Sequence, residues 1–339
     1  MAKRIDPQLL NRLADEFEPN MQDAFLASVN QVTSRVKITE VEAAIRRGDI
    51  EEAVRLIGFD PLDLRPLTRE MEGVYEGGGI RTAQAVEKAA PRGAQVIIRF
   101  DVRNLRAEQW IAQRSSLLVT DIVNDQREMI RAALRDGLSR GLNPKTVALD
   151  LVGRINPKTG NRVGGLIGLT QRQEQWQRNY LNELLSDDPA LLRNALTRDL
   201  RDRRFDRAVA KAIREGKPIP AATRRKMLAA YRNKSLRYRA ETIARNETLA
   251  ALNEANREAY RQAVESGAIK EDAIKRYAHT AGDERVRDDH VLIPGMNADG
   301  VGLNQPFQTP EGAFMTAPFG IQCRCFVETR IDFLAEALN

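Results

Sequence analysis

Apolar residues recur at helical spacing through most of the first 267 positions, and the rhythm changes only after Gly267. From Pro7 to about Tyr75 the pattern predicts short helices separated by "EPN", "RRGD" and "FDPLDLRP". "DIEEAVRLIG" carries acids in its first turn and Gly58 at its stop, as a helix should. The three glycines of "YEGGGI" predict a hinge or loop. "AQVIIRFD" follows as a β-branched run, either a short strand or an extended crossing segment. A long helix comes next: Ile111, Leu118 and Ile122 fall on one stripe, continued by Val119, Val123, Ile130, Leu134 and Leu138. Asn143 and Pro144 read as an N-cap and first-turn proline, opening a helix that Gly153 closes.

"RINPKTGNRVGGLIGLT" reads as an exposed loop, and Trp176 and Tyr180 open another helix. Two basic helices follow, broken at "KPIP" and ended by Gly267. Beyond it "AIKRYAHT" and "CFVETRIDF" predict two short strands, joined by a Gly- and Pro-rich loop between Gly295 and Gly320. The expected fold is mainly α: an elongated multi-helix body with a small mixed α/β, hairpin-containing C-terminal module. The linear division is an N-terminal helical region 1–90, a helical body 91–267 and the module 268–339. No period of self-similarity suggests a solenoid.

Composition supports helices: Ala, Leu, Arg and Glu dominate and aromatics are only 5%. The N-terminal residues lack the apolar core of a secretory leader, and no run approaches a membrane span, so a soluble protein without a membrane partner is expected. Two cysteines in 339 residues cannot form a disulfide scaffold, and the composition suits a reducing compartment such as a host cytoplasm. The net charge of +6 is unevenly spread: residues 201–240 hold fourteen Lys and Arg against three acids. Candidate polyanion contacts are Arg201, Arg203, Arg204, Arg207, Lys211 and Arg214, then Arg224, Arg225, Lys226, Arg232, Lys234, Arg237 and Arg239. The competing reading is a solvated helix face whose arginines cover apolar neighbours.

Motifs exclude several chemistries. In "GLSRGLNPKT", Lys145 stands three residues too far from Gly141 for a phosphate loop, and Pro144 interrupts the N–H donors. "GNRVGGLIG" has no lysine, and G-x-S-x-G and H-E-x-x-H are absent. Both histidines and both cysteines lie in the tail: His279, His290, Cys323 and Cys325 match a tetrahedral Cys2His2 zinc site in number. The C-x-C spacing differs from a C-x2-C knuckle. On extended backbone both thiols would share one face, and could face a metal or fill a small core. A disulfide at that spacing would be strained. A thiol nucleophile with His290 as base, oriented by Asp283 or Asp288, rests on residue type alone.

"TAGDERVRDDHVLIPGM", then "NQPF" and "APFGIQCRC", resemble the Mu F-like family of phage minor head proteins. The helical stretches from "FDVRNLRAEQW" to "AETIARNETLAALN" resemble that family's body, so the likeness covers roughly residues 95–330. Motif positions fall on Asp283, Arg285, His290, Gly295, Cys323, Arg324 and Cys325. This chain departs from the family at three places. Tyr277 stands where a tryptophan is common, Arg287 and His290 stand where many members have C-x-x-C, and "FGIQ" lacks the usual histidine. Members with the full set of Cys and His suit zinc; the thinner set here implies a compact structural turn. In that turn Asp283 would cap toward Arg285, and Arg324 would pair with Asp283 or Asp288. The resemblance implies a non-enzymatic structural protein of the virion, inside the capsid near the portal. Its implied partners are the portal protein, the major capsid protein or scaffold, and non-specifically bound double-stranded DNA. The rival readings are a zinc- or thiol-dependent activity in the module, and a free nucleic-acid-binding protein. Only fourteen residues follow Cys325, which speaks against an appended catalytic domain.

Overall fold

The computed structural model describes residues 5–91 and 96–333. The chain is mainly α and divides into two compact units built from interleaved segments. One comprises residues 1–24, 67–116 and 241–339; the other comprises 25–66 and 117–240. The helices in order are α1 (Leu9–Arg35), α2 (Ile38–Arg46), α3 (Ile50–Ile57), α4 (Arg65–Ala89), α5 (Leu105–Ser139) and α6 (Pro144–Val152). They continue with α7 (Gln171–Leu185), α8 (Pro189–Thr197), α9 (Asp206–Glu215), α10 (Ala221–Glu265) and α11 (Asp288–Met296). Helices α1, α5 and α10 contribute residues to both units.

Local signals explain most boundaries. The Asp49 side chain accepts the Glu52 N–H and starts α3, and Asn143 accepts the Lys145 N–H ahead of Pro144 to start α6. Three expectations fail for identifiable reasons. "EPN" does not break α1: buried Leu10, Leu13, Ala14 and Met21 keep helical phase across Pro19, so packing outweighs the lost backbone bond. "YEGGGI" is not a loop but the middle of α4. There a Cβ on Gly77 would lie 2.8 Å from the Phe17 ring, one on Gly78 2.8 Å from Leu252, and one on Gly79 2.3 Å from the Phe100 ring. These glycines let neighbours approach the helix backbone. "RINPKTGNRVGGLIGLT" begins exposed, with a two-residue hairpin of β1 (Arg154–Ile155) and β2 (Arg162–Val163), but Leu166, Ile167 and Leu169 are buried.

The start of "AQVIIRFD" lies outside the described residues. From Val96 to Phe100 the backbone is irregular, and the Ile98 N–H donates to Glu87 Oε1 at 2.9 Å. Of the two readings of this run, the strand is not found among the described residues.

In the first unit the second half of α10 is buried almost all round, from Glu247 to Tyr260. Ala251, Ala255 and Ala259 allow close packing, while polar groups find partners: Arg106 bridges Glu258 and Glu265, Arg114 binds Glu247, and Asn256 donates to Thr82. Beside Tyr260 and Ala263 sit Ala83, Val86, Ile98 and Ile274. The second unit has its own core, where Tyr180 and Leu184 of α7, Leu192 of α8 and Val209 of α9 meet Met227 and Tyr231 of α10.

The C-terminal module carries the two expected strands. They are β3 (Ile274–His279) and, last in the chain, a strand over Phe326–Ile331; these pair antiparallel with Ile274 opposite Ile331 and His279 opposite Phe326. The Gly- and Pro-rich connection is more ordered than expected, since β4 (Phe307–Thr309) and β5 (Gly312–Phe314) form a hairpin within it. The closing strand Phe326–Ile331 is hence β6. Helix α11 lies against β3 and β4.

Candidate functional site

Cys323 and Cys325 lie just ahead of β6, following a turn in which Gln322 adopts a φ of 57°. His290 sits in the first turn of α11. All three side chains are buried and converge: Cys323 Sγ and Cys325 Sγ are each 3.5 Å from His290 Nδ1. Both thiols are free. Around them are Phe319, Phe307, Ala317, Ile293 and Val327, with the Phe319 ring edge-on to the His290 ring at 6.3 Å.

The Cys325 N–H donates to Cys323 Sγ at 3.3 Å. The adjacent Cys325 thiol holds Cys323 down to about 6 against the opposing effect of burial, helped by the N–H groups of Cys325 and Phe319. Cys325 is pushed up instead, because it shares its proton with Cys323 and is buried beside that developing charge.

His279 is not part of this group. Its Nε2 lies 2.9 Å from Glu328 Oε2, and its ring stacks on Phe326 across the strand pair. Asp283 accepts the Arg285 N–H at 3.0 Å and receives both terminal nitrogens of Arg324, at 2.5 and 2.6 Å. Arg324 thereby holds the Asp283 carboxyl below the ordinary carboxylate range. The pair ties the D-E-R turn to the C-R-C segment. Gly295 is exposed in α11, with no atom near the place of a Cβ.

Two arginines organise the module: Arg276, which sequence reasoning did not single out, and Arg287, noted there only as a departure from C-x-x-C. Arg276 is buried and, among the described residues, is paired by carbonyls: its guanidinium donates to those of Gly302 at 3.2 Å, Met315 at 2.7 Å and Gln305, and lies 5.0 Å over the Phe307 ring. Burial pushes its pKa down to about 10. The signal was present, since Arg276 shares the alternating inward face of Ile274 and Ala278. Arg287, ahead of α11, donates to the Ile321 carbonyl at 2.5 Å and so pins the turn before Cys323.

The basic segment 201–240 divides by burial. Arg232 and Arg239 are buried and face inward. Arg232 donates to the Gly164 carbonyl at 3.1 Å and sits 3.4 Å from Asp150; Arg239 donates to the Gly168 carbonyl at 3.0 Å and Asp125 at 2.9 Å. Arg201 is half-buried against Asp206, and Arg224 donates to the Ile219 carbonyl. Arg203, Arg204, Arg207, Lys211, Arg214, Arg225, Lys226, Lys234 and Arg237 are exposed, Arg204 being paired with Asp202 and Lys234 donating to the Arg201 carbonyl.

Residues 203–328 match the family described as Phage Mu protein F like protein. This is the family that the tail motif resembles. The match starts in the basic segment and stops inside β6, and the earlier helices that share the likeness at sequence level, from about residue 95, lie outside it. No curated protein and no solved structure matches the chain. The matched family points to a structural role connected with the phage head. No helix among the described residues is long and apolar enough to cross a membrane.

Proposed function

We propose that this chain is a minor structural protein of a phage head, carried inside the virion, that docks on the portal or inner shell and faces packaged DNA. The observation that carries the reading is the span of the family match, which takes in the basic helices and the C-terminal module together. Exposed cations such as Arg203, Arg207, Arg225 and Arg237 suit sequence-independent contacts to phosphates. The absence of a membrane-spanning helix among the described residues fits a particle-borne protein.

Two measurements test this. Co-expression with portal rings of the same phage should give a complex that survives size exclusion; a chain that elutes apart from them overturns the docking claim. Binding to short duplex DNA should be insensitive to sequence and steeply dependent on salt. About five phosphate contacts give a log–log slope near −4.5, or a loss on the order of 10²–10³ in affinity between 50 and 200 mM salt. No binding at low salt removes the DNA part and leaves the docking part standing.

A further inference from the structure

The two sulfur–nitrogen separations among Cys323, Cys325 and His290 match the edge length of a metal tetrahedron. With zinc–sulfur bonds of about 2.3 Å and zinc–nitrogen bonds of about 2.0–2.1 Å, tetrahedral angles set sulfur and nitrogen about 3.5 Å apart. Both thiols stand 3.5 Å from the same His290 Nδ1, and all three ligand atoms lie within 4.8 Å of one another. A thiol hydrogen bond to the imidazole has the same length, but two sulfurs on one nitrogen is the arrangement that a shared metal also requires.

We propose that His290, Cys323 and Cys325 hold a zinc ion through three protein ligands, with the fourth position filled by water or another small donor. Zinc accepts this donor set, since thiolate and imidazole are the ligands it favours over carboxylate-binding cations. Charge supports the fit: one divalent ion and two thiolates sum to zero, so the centre can sit in an apolar pocket without an unpaired charge. Binding displaces the thiol protons to solvent, giving two metal–sulfur bonds and one metal–nitrogen bond from a divalent ion, two thiols and a neutral imidazole.

The surroundings are built to keep the donors in place. The Cys325 N–H on Cys323 Sγ fixes the angle between the two cysteines. Arg287 holds the turn before Cys323 through the Ile321 carbonyl, and the Asp283–Arg324 pair anchors the residue between the cysteines. The metal would fasten the first turn of α11 to the start of β6, in a module whose own core is small. His279 takes no part: its Nε2 is engaged with Glu328. The site is thus distinct from the four-residue set that composition suggests. The proposal stands apart from the head-protein reading, since metal content and portal binding are separate measurements.

The test uses the full chain purified without chelator. Metal analysis should find close to one zinc per chain. Cys323→Ser, Cys325→Ser and His290→Ala should each lower that by about tenfold, while His279→Ala leaves it unchanged. Because a ligand variant can lose its fold, the unsubstituted chain is also stripped and titrated with cobalt(II). One equivalent should give thiolate-to-cobalt charge transfer and tetrahedral d–d bands, and should slow alkylation of both thiols by at least tenfold. A folded chain that carries no zinc, gives only the weak bands of octahedral cobalt and alkylates at the same rate with metal present overturns the proposal. So does zinc that persists in all three ligand variants.

Discussion

Gly168 offers a sharp test of how the second unit is held together. Its φ is +90°, a region that costs an L-residue about 1–2 kcal/mol. A Cβ there would also stand 2.6 Å from Leu236 Cδ1 and 2.8 Å from Val29 Cγ2, well inside ordinary contact. The backbone cannot retreat freely. The Gly168 N–H donates to Gln126 Oε1 at 2.7 Å, and its carbonyl accepts from Arg239 at 3.0 Å. Overpacking at a pinned site adds about 1–3 kcal/mol. Loss of freedom in the unfolded chain gives back about 0.5–1 kcal/mol. The expected net cost of Gly168→Ala is therefore about 1–4.5 kcal/mol.

Gly160 is the internal control. Its φ is +72°, but nothing lies within 4 Å of the Cβ position, so Gly160→Ala meets the conformational cost without the contact. Urea unfolding followed by circular dichroism measures both, and thermal melts should fall by about 2–4 °C per kcal/mol for a unit of this size. Gly168→Ala should lose at least about 1 kcal/mol more than Gly160→Ala. If the two variants melt together, the close packing against Leu236 and Val29 does not stabilise the fold and the reasoning fails.

Arg276→Met strips the donor from the part-buried carbonyls of Gly302, Gln305 and Met315. Limited proteolysis should then cut between residues 302 and 315 much faster than in the parent chain; unchanged cleavage would show that the guanidinium is dispensable. Among the basic residues, Arg203→Ala with Arg207→Ala should leave stability within about 0.5 kcal/mol and flatten the salt slope of DNA binding by about 0.9 per lost contact. Arg239→Ala should do the reverse, lowering the melting temperature with little change in that slope, because its guanidinium and stem are buried. For Asp283, Arg324 depresses the carboxyl pKa in the folded state, so the pair stabilises the fold above the unfolded carboxylate pKa and is lost as pH falls through the lower folded value. The melting-temperature gap between the parent and Asp283→Asn should therefore be steady above about pH 5 and close toward about pH 3; a gap independent of pH would contradict the pairing.

What the sequence disclosed, and what it hid, follows the range of the interactions. Asn143, Pro144, Asp49 and Gly267 act on backbone a few residues away, so their meaning as caps and stops is written locally. β3 was legible too, because burial alternates along it, whereas β6 buries four residues in succession and shows no such alternation. Gly77, Gly78 and Gly79 were misread because a glycine run has two meanings, and only Phe17, Leu252 and Phe100 select close approach over flexibility. Those partners lie far away along the chain.

The arginines of α10 pose the same ambiguity in charge. Arg232 and Arg239 differ from Arg225 and Arg237 in no local respect, yet the carbonyls of Gly164 and Gly168 draw the first pair inward. Charge counting over 201–240 therefore overstated the exposed set. The tail shows the converse. By counting residues His279 looks equivalent to His290, and by family spacing the cysteines look short of partners. His290 reaches them only because α11 turns its first residues toward the segment before β6, while pairing of β3 with β6 commits His279 to Glu328. Donor type was visible at once, but the convergence of the three side chains belongs to the fold.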